Sequence, residues 1–282
     1  MLFRSKKFNG TLLVWSEQGI GDHLFFGRMV WCLNSYAKKI IFIVDKRLVQ
    51  LFKDSLFSQS INNIEVVSYD KNNLVTNFDK HIPSGSLGKF FAKNDKAILK
   101  FSRNSFILKN EINEKKVINF LSNFNGIKVG LSWKSHNKNE QHRNIPLENL
   151  VSIFNKKNFT LINLQFGNNE HEILEINKNL GIKIYNLEGV NNLNDIYDLS
   201  TLIKHLDLVV TIQNTTAHLS LGLQKKTFVL LPINSRWHWG VNNKKSIWYP
   251  AAEIFRQSRY NYWEDVLNSV KIQLDKNYYA TI

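Results

Sequence analysis

Two short segments, far apart in the chain, most constrain how this sequence can fold. Residues 19–23 (Gly-Ile-Gly-Asp-His) directly follow the apolar run 11–15, and residues 213–218 (Gln-Asn-Thr-Thr-Ala-His) directly follow the apolar run 208–212. Each combines a strand, a tight turn of small residues and the first turn of a helix. Such a turn points backbone N–H groups and the positive end of a helix dipole at an anion. One turn in each half predicts two similar α/β domains that face each other across a cleft.

Composition predicts a globular protein with a large core. The chain has 282 residues, of which 43% are hydrophobic and 21% charged, and this excludes global disorder. No apolar run approaches the roughly 18 residues that would span a bilayer, and the run 11–15 is too short for a signal-peptide core. The single cysteine, Cys32, excludes an internal disulfide and a Cys-based zinc site. A cytoplasmic protein is the simplest interpretation.

The net charge of +14 is compatible with nucleic acid, an anionic membrane surface or a phosphorylated substrate. The basic residues are 29 Lys and only 8 Arg, and the chain contains 36 Asn. AT-rich codons would produce this excess without selection for function. The lysines are also spread along the chain with no dense basic tract. We therefore attribute the charge first to genome composition, with attraction to anionic lipid or substrate as a secondary effect.

Hydrophobic periodicity predicts a parallel sheet in the first half. Strands are expected at 11–15, 40–44 and 64–67, with helices at 22–37 and 46–57 between them. This alternation is typical of right-handed β-α-β crossovers.

The domain boundary is predicted after an irregular stretch. Residues 70–110 show little periodicity and include a Pro/Gly/Ser loop at 81–88, which is expected near the cleft. A helix at 111–124 and the turn signal Asn125-Gly126 then mark the boundary.

Beyond the boundary, five apolar runs separated by helical patterns predict a Rossmann-like sheet. The predicted strands cover 127–132, 159–164, 182–185, 207–212 and 227–231, and the predicted helices cover 146–156, 169–180, 194–205 and 215–223. The domains are therefore expected at 1–124 and 125–260. They are followed by a C-terminal helix within 261–282 that could pack back on the N-terminal domain.

Asp22 allows two interpretations. As an N-cap it would accept hydrogen bonds from the first turn of the helix, and the residue types alone favour this role. As a carboxylate at the C-terminal edge of a sheet it could instead act as a general base toward an acceptor hydroxyl. Glu17 and His23 are alternatives for the base, although Glu17 is expected to order the loop. Gly19, Gly21, His23 and Trp237 are candidate loop and acceptor contacts.

The second turn contains candidates for phosphate binding. Asn214, Thr215 and Thr216 could supply amide, hydroxyl and backbone N–H donors to a diphosphate, and helix capping is the alternative. Ala217 and His218 lie in the same first helical turn. His218 could reach a phosphate or ribose, although a single helical histidine is more often structural.

Two cations are expected at the same crevice. Lys134 ends the segment 130–134, and Arg143 precedes Pro146 in the same strand–helix connection. Fixed positive charges there could offset the charge that grows on a leaving diphosphate. Lys134 alone is weak evidence, because exposed lysines usually have no specific role.

Aromatic residues are unusually frequent near the C-terminus. The rings belong to Trp237, His238, Trp239, Trp248 and Tyr249. They could stack on a base or sugar, and packing against the terminal helix is an equal contender.

Several absent motifs narrow the chemistry. No Asp-X-Asp occurs, so a metal-chelating nucleotide-sugar site is not indicated and no metal ligands are assigned. No Gly-X-Gly-X-X-Gly follows a strand, so a nicotinamide or flavin cofactor is not expected. The chain has no phosphate-binding Walker loop and no Gly-X-Ser-X-Gly, and its eight histidines lack ligand spacing.

Taken in order, these segments resemble bacterial glycosyltransferase domains that are often fused to tetratricopeptide repeats and are related to the ADP-heptose:lipopolysaccharide heptosyltransferases. The resemblance covers nearly the whole chain. Its segments are 15–24 with Arg28, 130–134, 143–147, 164–167, 206–210, 214–218, 231–232, 237–239, 248–250 and 255–257. Many relatives have Asp-Ser or Asp-Thr where this chain has Gln213-Asn214, and Gly where it has Ser16. The sequence contains no tetratricopeptide repeats before the domain, so either a stand-alone form or a fragment of a longer protein is expected.

The resemblance implies a GT-B fold and an inverting, metal-independent transfer of a hexosyl or heptosyl group from a nucleoside diphosphate. It places the catalytic aspartate at Asp22, the donor-phosphate cation at or near Lys134 and Arg143, and the phosphate-binding segment at 215–218. The nucleotide sugar would be a substrate, with no further cofactor. The acceptor would be a glycan, a lipid-linked molecule or a protein. A cytoplasmic location is implied, at the inner face of the membrane if the chain makes peripheral contact with anionic lipid.

Two rival functions remain at this stage. The first is a catalytically inactive nucleotide- or glycan-binding module with the same fold. The second is a basic nucleic-acid binder, although no specific nucleic-acid motif is present.

Overall fold

The computed structural model describes residues 8–72, 74–154, 158–188, 196–241 and 243–278. The chain forms two compact units, each built on a parallel sheet. The first unit ends at Asn110 and also includes Gly222–Gln224 and Ile247–Pro250, and the remainder belongs to the second. The helix expected at 111–124, which the sequence analysis placed at the end of the first domain, therefore belongs to the second unit.

The first unit contains a four-stranded sheet in the order β3-β2-β1-β4. Its strands are β1 (Phe8–Trp15), β2 (Ala37–Val44), β3 (Ile64–Ser68) and β4 (Lys80–Pro83), and its helices are α1 (Ile20–Gly27), α2 (Val49–Ser58), α3 (Gly88–Phe91) and α4 (Asp95–Ser102). In the central strand, Val14 pairs with Phe42 of β2 on one side and with Ile82 of β4 on the other. The three strands predicted in this half are confirmed.

Two predictions for the first half are wrong. The helix expected at 22–37 ends at Gly27, and a 3₁₀ turn at Val30–Leu33 follows it. Both structures bury residues three positions apart, so the apolar pattern does not distinguish them. The loop expected at 81–88 begins instead with β4 and continues into a 3₁₀ turn at Ser84–Leu87. Pro83 is tolerated in β4 because that strand lies at the edge of the sheet.

The second unit contains a six-stranded sheet in the order β10-β9-β8-β5-β6-β7. Its strands are β5 (Ile127–Ser132), β6 (Phe159–Asn163), β7 (Ile184–Tyr185), β8 (Leu208–Ile212), β9 (Thr227–Leu231) and β10 (Ala252–Arg256). The helices, in chain order, are α5 (Glu111–Ser122), α6 (Leu147–Val151), α7 (Glu170–Leu180), α8 (Ile196–Lys204), α9 (Thr215–Gly222) and α10 (Glu264–Tyr278). Every strand predicted after residue 125 is confirmed.

The core of the second unit lies against one face of its sheet. Alternate residues of the central strands, such as Leu131, Val210 and Phe228, belong to one buried cluster. Apolar residues of α6, α7 and α10 complete this cluster, with Val266 and Val270 representing α10. Because α10 buries its apolar face in this cluster, it packs on the second unit. Packing against the N-terminal domain stays a prediction.

One strand of the second sheet was not predicted. β10 pairs with the edge of β9 and buries only Ala252 and Ile254 deeply, so it offers too short an alternation to detect. Residues 155–156, 194–195 and 279–282 of the predicted elements lie outside the described residues. Among the helices that the structure describes, none is both long and apolar enough to cross a membrane.

Arg28 is a buried cation that organises the first unit. Its side chain is 2% exposed and donates to main-chain carbonyl oxygens: Nε to Asn104 (3.3 Å), Nη1 to Trp248 (3.3 Å) and Nη2 to Ser102. The guanidinium also lies 4.9 Å from the ring centroid of Tyr249. Burial lowers the pKa of Arg28 and raises that of Tyr249. The carbonyl at the end of α4 lies at the negative end of the helix dipole, which favours a cation there.

We expect Arg28→Met to destabilise the protein by about 3 kcal/mol or more, because several buried carbonyl oxygens would lose their donor. Chemical denaturation would measure the change in free energy of unfolding. Arg103→Met is the matched control: Arg103 is exposed, so its loss should change stability by no more than about 0.5 kcal/mol. Equal effects of the two substitutions would contradict the role of Arg28.

Candidate functional site

The strand order of the second sheet identifies where a ligand would bind. The chain proceeds from β5 to β6 and β7 on one side, and later returns to β8 on the other side of β5. In open α/β sheets a crevice forms at the carboxyl ends of the two strands where the direction reverses. The segment after Ser132 of β5 and the turn after Ile212 of β8 lie at this point. The structure thus brings the predicted phosphate-binding residues to the expected edge.

Asn214 caps helix α9. Its Oδ1 accepts from the backbone N–H of Ala217 (3.2 Å) and from Oγ1 of Thr211 (3.1 Å), and its Nδ2 donates to Oγ of Ser132 (2.8 Å). The capping alternative left open by the sequence is therefore present, and the side-chain amide is already engaged. Asn214 serves the site by fixing the start of the helix.

The first turn of α9 still presents donors to an anion. The geometry of a helix leaves the N–H groups of Thr215 and Thr216 without a partner inside the helix, and they point along its axis. Thr216 is buried and its hydroxyl donates to Ser132 (3.4 Å), whereas Thr215 is only half-buried. Two backbone donors thus face the crevice edge, with the fully buried Ala217 behind them.

Gln165 is a site residue that residue-by-residue reasoning did not single out. Its side chain is 1% exposed, and its Oε1 accepts from the backbone N–H groups of Trp133 (2.8 Å) and Lys134 (2.9 Å). Its Nε2 donates to the carbonyl of Lys134 (3.0 Å). A buried amide directly after β6 therefore fixes the backbone that follows β5. A polar residue immediately after an apolar strand was the available signal.

Lys134 lies at this edge, but its charge is already paired. Nζ donates to Oε2 of Glu172 at 2.5 Å, and the other carboxylate oxygen of Glu172 accepts from the indole N–H of Trp133 at 2.9 Å. Both partners are about one third exposed. Because the pair is partly solvated, a phosphate could compete with Glu172 for the ammonium group.

Arg143 stabilises the turn between β8 and α9. It is 8% exposed, donates from Nη1 to the carbonyl of Gln213 at 2.9 Å and pairs with Glu140. Glu140 also pairs with Arg236, whose backbone N–H donates to the side chain of Gln213 at 3.1 Å. Arg143 therefore holds the β8–α9 turn, and the phosphate contact expected from the sequence stays a prediction.

His218 belongs to a cluster of rings. Its centroid lies 5.1 Å from that of His238 and 5.5 Å from that of Trp239, which is 1% exposed. Burial, together with the positive charge of Arg236, lowers the pKa of His238 to about 3. His238 is therefore neutral at physiological pH. Trp237 also contacts the ring of His238, with 5.6 Å between the centroids, but it is 65% exposed.

The other aromatic residues of this region pack within the first unit. The ring centroids of Trp248 and Tyr249 lie 5.0 and 6.0 Å from that of Phe25. Trp248 and Tyr249 therefore pack against other side chains, which is one of the two roles that the sequence allowed. Their partner is α1 and not the terminal helix.

Asp22 occupies the corresponding place in the first unit. The reversal point of that sheet lies between β1 and β4, and Asp22 is in the first turn of α1, directly after β1. Its Oδ2 accepts from the backbone N–H of Gly19 at 3.3 Å. In the described part of the chain its Oδ1 accepts no hydrogen bond. The residue before the cap, Gln18, has φ of +65°, a strained conformation that often occurs at functional turns. The N-cap interpretation of Asp22 is therefore wrong: Gly19 is the N-cap, and Asp22 is the third helical residue, whose side chain reaches back to the cap. Its other carboxylate oxygen is available to a ligand.

The alternatives to Asp22 are engaged elsewhere. Nδ1 of His23 accepts from the backbone N–H of Asp45 at 3.2 Å, and burial lowers the pKa of His23. This contact assigns the proton to Nε2, so His23 acts as a donor. The carboxylate of Glu17 lies over Gly85, whose hypothetical Cβ would be 3.1 Å from Oε2, in agreement with a loop-ordering role.

Neither glycine of this turn, Gly19 or Gly21, has a strained backbone conformation. Gly19 is extended (φ −91°), and an added Cβ would meet only Oδ2 of Asp22, at 3.7 Å. Gly21 lies in the first turn of α1. Backbone strain is therefore located at Gln18, not at the glycines. Among the described residues, no group of three or more His, Cys, Asp or Glu side chains could hold a metal ion.

Comparison with known proteins gives one sequence relative of substantial coverage. No protein-family model matches the chain. Protein FlbA of Caulobacter vibrioides is 25% identical over 278 residues, which cover 93% of this chain and 46% of FlbA. The chain thus spans less than half the length of this curated relative.

Solved structures resemble the fold. The glycosyl transferase family 9 protein of Veillonella parvula has a TM-score of 0.60 at 11% identity, over 95% of this chain and 89% of its own. E. coli heptosyltransferase WaaC with ADP-2-deoxy-2-fluoro heptose has a TM-score of 0.56 at 11% identity, over 95% and 99%. The iron-containing dodecameric glycosyltransferase TibC of enterotoxigenic E. coli has a TM-score of 0.59 at 11% identity. The match covers 93% of this chain and 67% of TibC. The predicted α/β GT-B fold class is confirmed, and at these identities the likeness shows the fold alone.

Acid should destabilise the second unit through His238. Its pKa is about 3 in the folded protein and near 6.5 when unfolded, so the unfolded chain binds the extra proton between these values. We expect stability to fall as pH decreases from 6.5 toward 3, with His238 contributing up to about 1.4 kcal/mol per pH unit. Denaturation of His238→Phe at several pH values should give a shallower slope than the parent. The exposed His171→Phe is the control, and an unchanged slope in His238→Phe would contradict the prediction.

Proposed function

We propose that the chain is a glycosyltransferase that moves a sugar from a nucleoside-diphosphate donor to an acceptor hydroxyl. The observation that carries the proposal is the start of α9 at the reversal point of the second sheet, where Asn214 caps the helix and two N–H groups face outward. Such a site suits a diphosphate. The fold, shared with heptosyltransferases of known structure, supports the same conclusion.

The leaving diphosphate would be bound in the second unit. The N–H groups of Thr215 and Thr216 would donate to phosphate oxygens, and Lys134 would exchange Glu172 for a phosphate as the negative charge grows. His218, next to the same turn, would reach a phosphate or the ribose. A helix dipole and fixed cations would then serve in place of a metal ion, in agreement with the absence of Asp-X-Asp.

Asp22 would be the general base. The acceptor hydroxyl gives its proton to the carboxylate while its oxygen bonds to the anomeric carbon. The bond from that carbon to the donor phosphate breaks at the same time, and the diphosphate leaves with the bonding electrons. A single displacement of this kind inverts the anomeric configuration. The Gly19 contact would leave Oδ1 of Asp22 for the proton.

The donor is proposed to be a hexosyl or heptosyl nucleotide. ADP-heptose is the first candidate, because solved structures of similar fold contain ADP and ADP-heptose derivatives. The acceptor would be a glycan, a lipid-linked molecule or a protein in the cytoplasm. Thermal-shift measurements with a panel of nucleoside diphosphates and their sugars would identify the donor, since a ligand of the folded state raises its stability. If no member of the panel raised the melting temperature, the proposal would be refuted.

Asp22→Asn should abolish turnover while donor binding persists. Asn keeps an oxygen that can accept from Gly19 but cannot take the proton, so we expect a loss of at least about 100-fold in kcat. Turnover of the donor identified above is measured alongside its Kd. Asp79→Asn, in the same unit but bonded to the backbone of Thr11, is the matched control. Unchanged turnover in Asp22→Asn would favour the catalytically inactive binding module.

Lys134→Met should weaken binding of the nucleoside diphosphate. Loss of one charge-assisted contact predicts a Kd about tenfold higher, measured by calorimetry. Lys178→Met is the control, since Lys178 is exposed on α7. Equal Kd values in the two variants would show that Glu172 keeps Lys134 out of the site.

A further inference from the structure

A stripe of basic residues runs along the exposed face of α4. The residues Lys96, Leu99, Lys100 and Arg103 follow the spacing i, i+3, i+4 and i+7, which places them on one face of a helix. All four are exposed, and Leu99, an apolar residue between the cations, is 39% exposed. We call these four residues the α4 stripe. At 1.5 Å per residue its ends are about 10 Å apart, close to the Debye length at about 0.1 M salt.

The positive charge continues beyond the stripe. Lys89 of α3 and Lys93, just before α4, are exposed as well, so residues 88–103 contain five basic side chains and one acidic side chain, Asp95. None of the five forms an ion pair with the described residues. The lysines are thus less evenly spread than the sequence analysis stated, because this short segment carries five positive charges against one negative charge.

The α4 stripe has a rigid base. The opposite face of α4 buries Ile98, Phe101 and Ser102. Arg28 donates to the carbonyl oxygens of Phe101 and Ser102 at the end of the helix, and Asn94 caps the start by accepting from the N–H of Ala97 at 2.9 Å. The cations thus project from a helix fixed at both ends.

The chemistry of the stripe favours a lipid surface as partner. A flat array of lysines attracts an anionic bilayer by roughly fivefold in affinity per charge. Leu99 adds an apolar side chain at the centre, which can enter the boundary between headgroups and acyl chains. A nucleic-acid site would instead be expected to place rings or hydrogen-bonding side chains among its cations. The four residues of the stripe include no ring and no amide: their polar groups are two ammonium groups and one guanidinium.

We propose that the α4 stripe, with Lys89 and Lys93, binds the surface of an anionic membrane. The binding is peripheral and electrostatic, with Leu99 as a shallow apolar contact. It does not depend on the proposed sugar transfer, and a failure of either proposal would leave the other intact.

Binding to vesicles of equal parts phosphatidylglycerol and phosphatidylcholine tests the proposal. The triple substitution Lys96→Gln, Lys100→Gln, Arg103→Gln should lower the partition coefficient about 100-fold, at about fivefold per charge. Raising ionic strength from about 0.1 M to about 1 M should release the parent protein, because the Debye length falls from about 10 Å to about 3 Å. Vesicles of phosphatidylcholine alone should bind neither protein.

The control variant also loses three positive charges, but from the second unit. Lys115→Gln, Lys116→Gln, Lys178→Gln alters exposed lysines of the second unit and should leave vesicle binding unchanged. Equal losses in the two triple variants would overturn the proposal, since net charge alone would explain the binding. All variants change exposed side chains, and unfolding curves identical to the parent's would verify that they fold.

A single substitution separates lipid from nucleic acid. Leu99→Ser should reduce binding to the mixed vesicles and leave binding to a random single-stranded oligonucleotide unchanged. If the stripe variant lost oligonucleotide binding while vesicle binding persisted, the surface would be a nucleic-acid site and the proposal would be wrong.

Discussion

The hydroxyl of Ser132 connects the parts on which the second unit's candidate site depends. A serine hydroxyl can donate one hydrogen bond and accept two, and all three capacities are used here. Oγ donates to Gln165 at 3.2 Å and accepts from Asn214 at 2.8 Å and Thr216 at 3.4 Å. The ends of three neighbouring strands, β6, β5 and β8, are thereby joined to the start of α9. Since Ser132 is 1% exposed, losing any partner would leave a buried polar group unsatisfied.

This network separates the groups that shape the site from those that could meet a ligand. The side chains of Asn214 and Gln165 form their hydrogen bonds within the protein, and Arg143 is paired with Glu140. The groups that face outward are the helix start and Lys134, whose ion pair with Glu172 is about one third exposed. The positive field at the crevice therefore comes first from oriented backbone groups, which need no reorganisation when an anion binds.

The sequence predicted the strands well because both sheets are parallel and bury continuous apolar runs. Its errors have a common cause: short edge strands and 3₁₀ turns carry too few buried residues to show a period. β4 and β10 each bury only one or two residues deeply, and Val30–Leu33 buries the same residues that a helix would. Among the candidate site residues, Asn214 was found from its residue type, whereas the contact between Lys134 and Glu172 joins positions in different elements that no local pattern connects.

The sequence by itself determined the two strand–turn–helix segments, since local apolar runs and small turn residues suffice to form them. It also placed Asp22 and residues 214–218 at carboxyl ends of strands, where a parallel sheet presents its ligands. Only the tertiary structure decided how these groups are charged and bonded, because ion pairs and hydrogen bonds depend on distances between elements. The α4 stripe needed both: its spacing is local in the sequence, and the packing of α4 decided which face of the helix stays exposed. The sequence thus identifies a candidate residue, and the packing of the elements determines which groups that residue contacts.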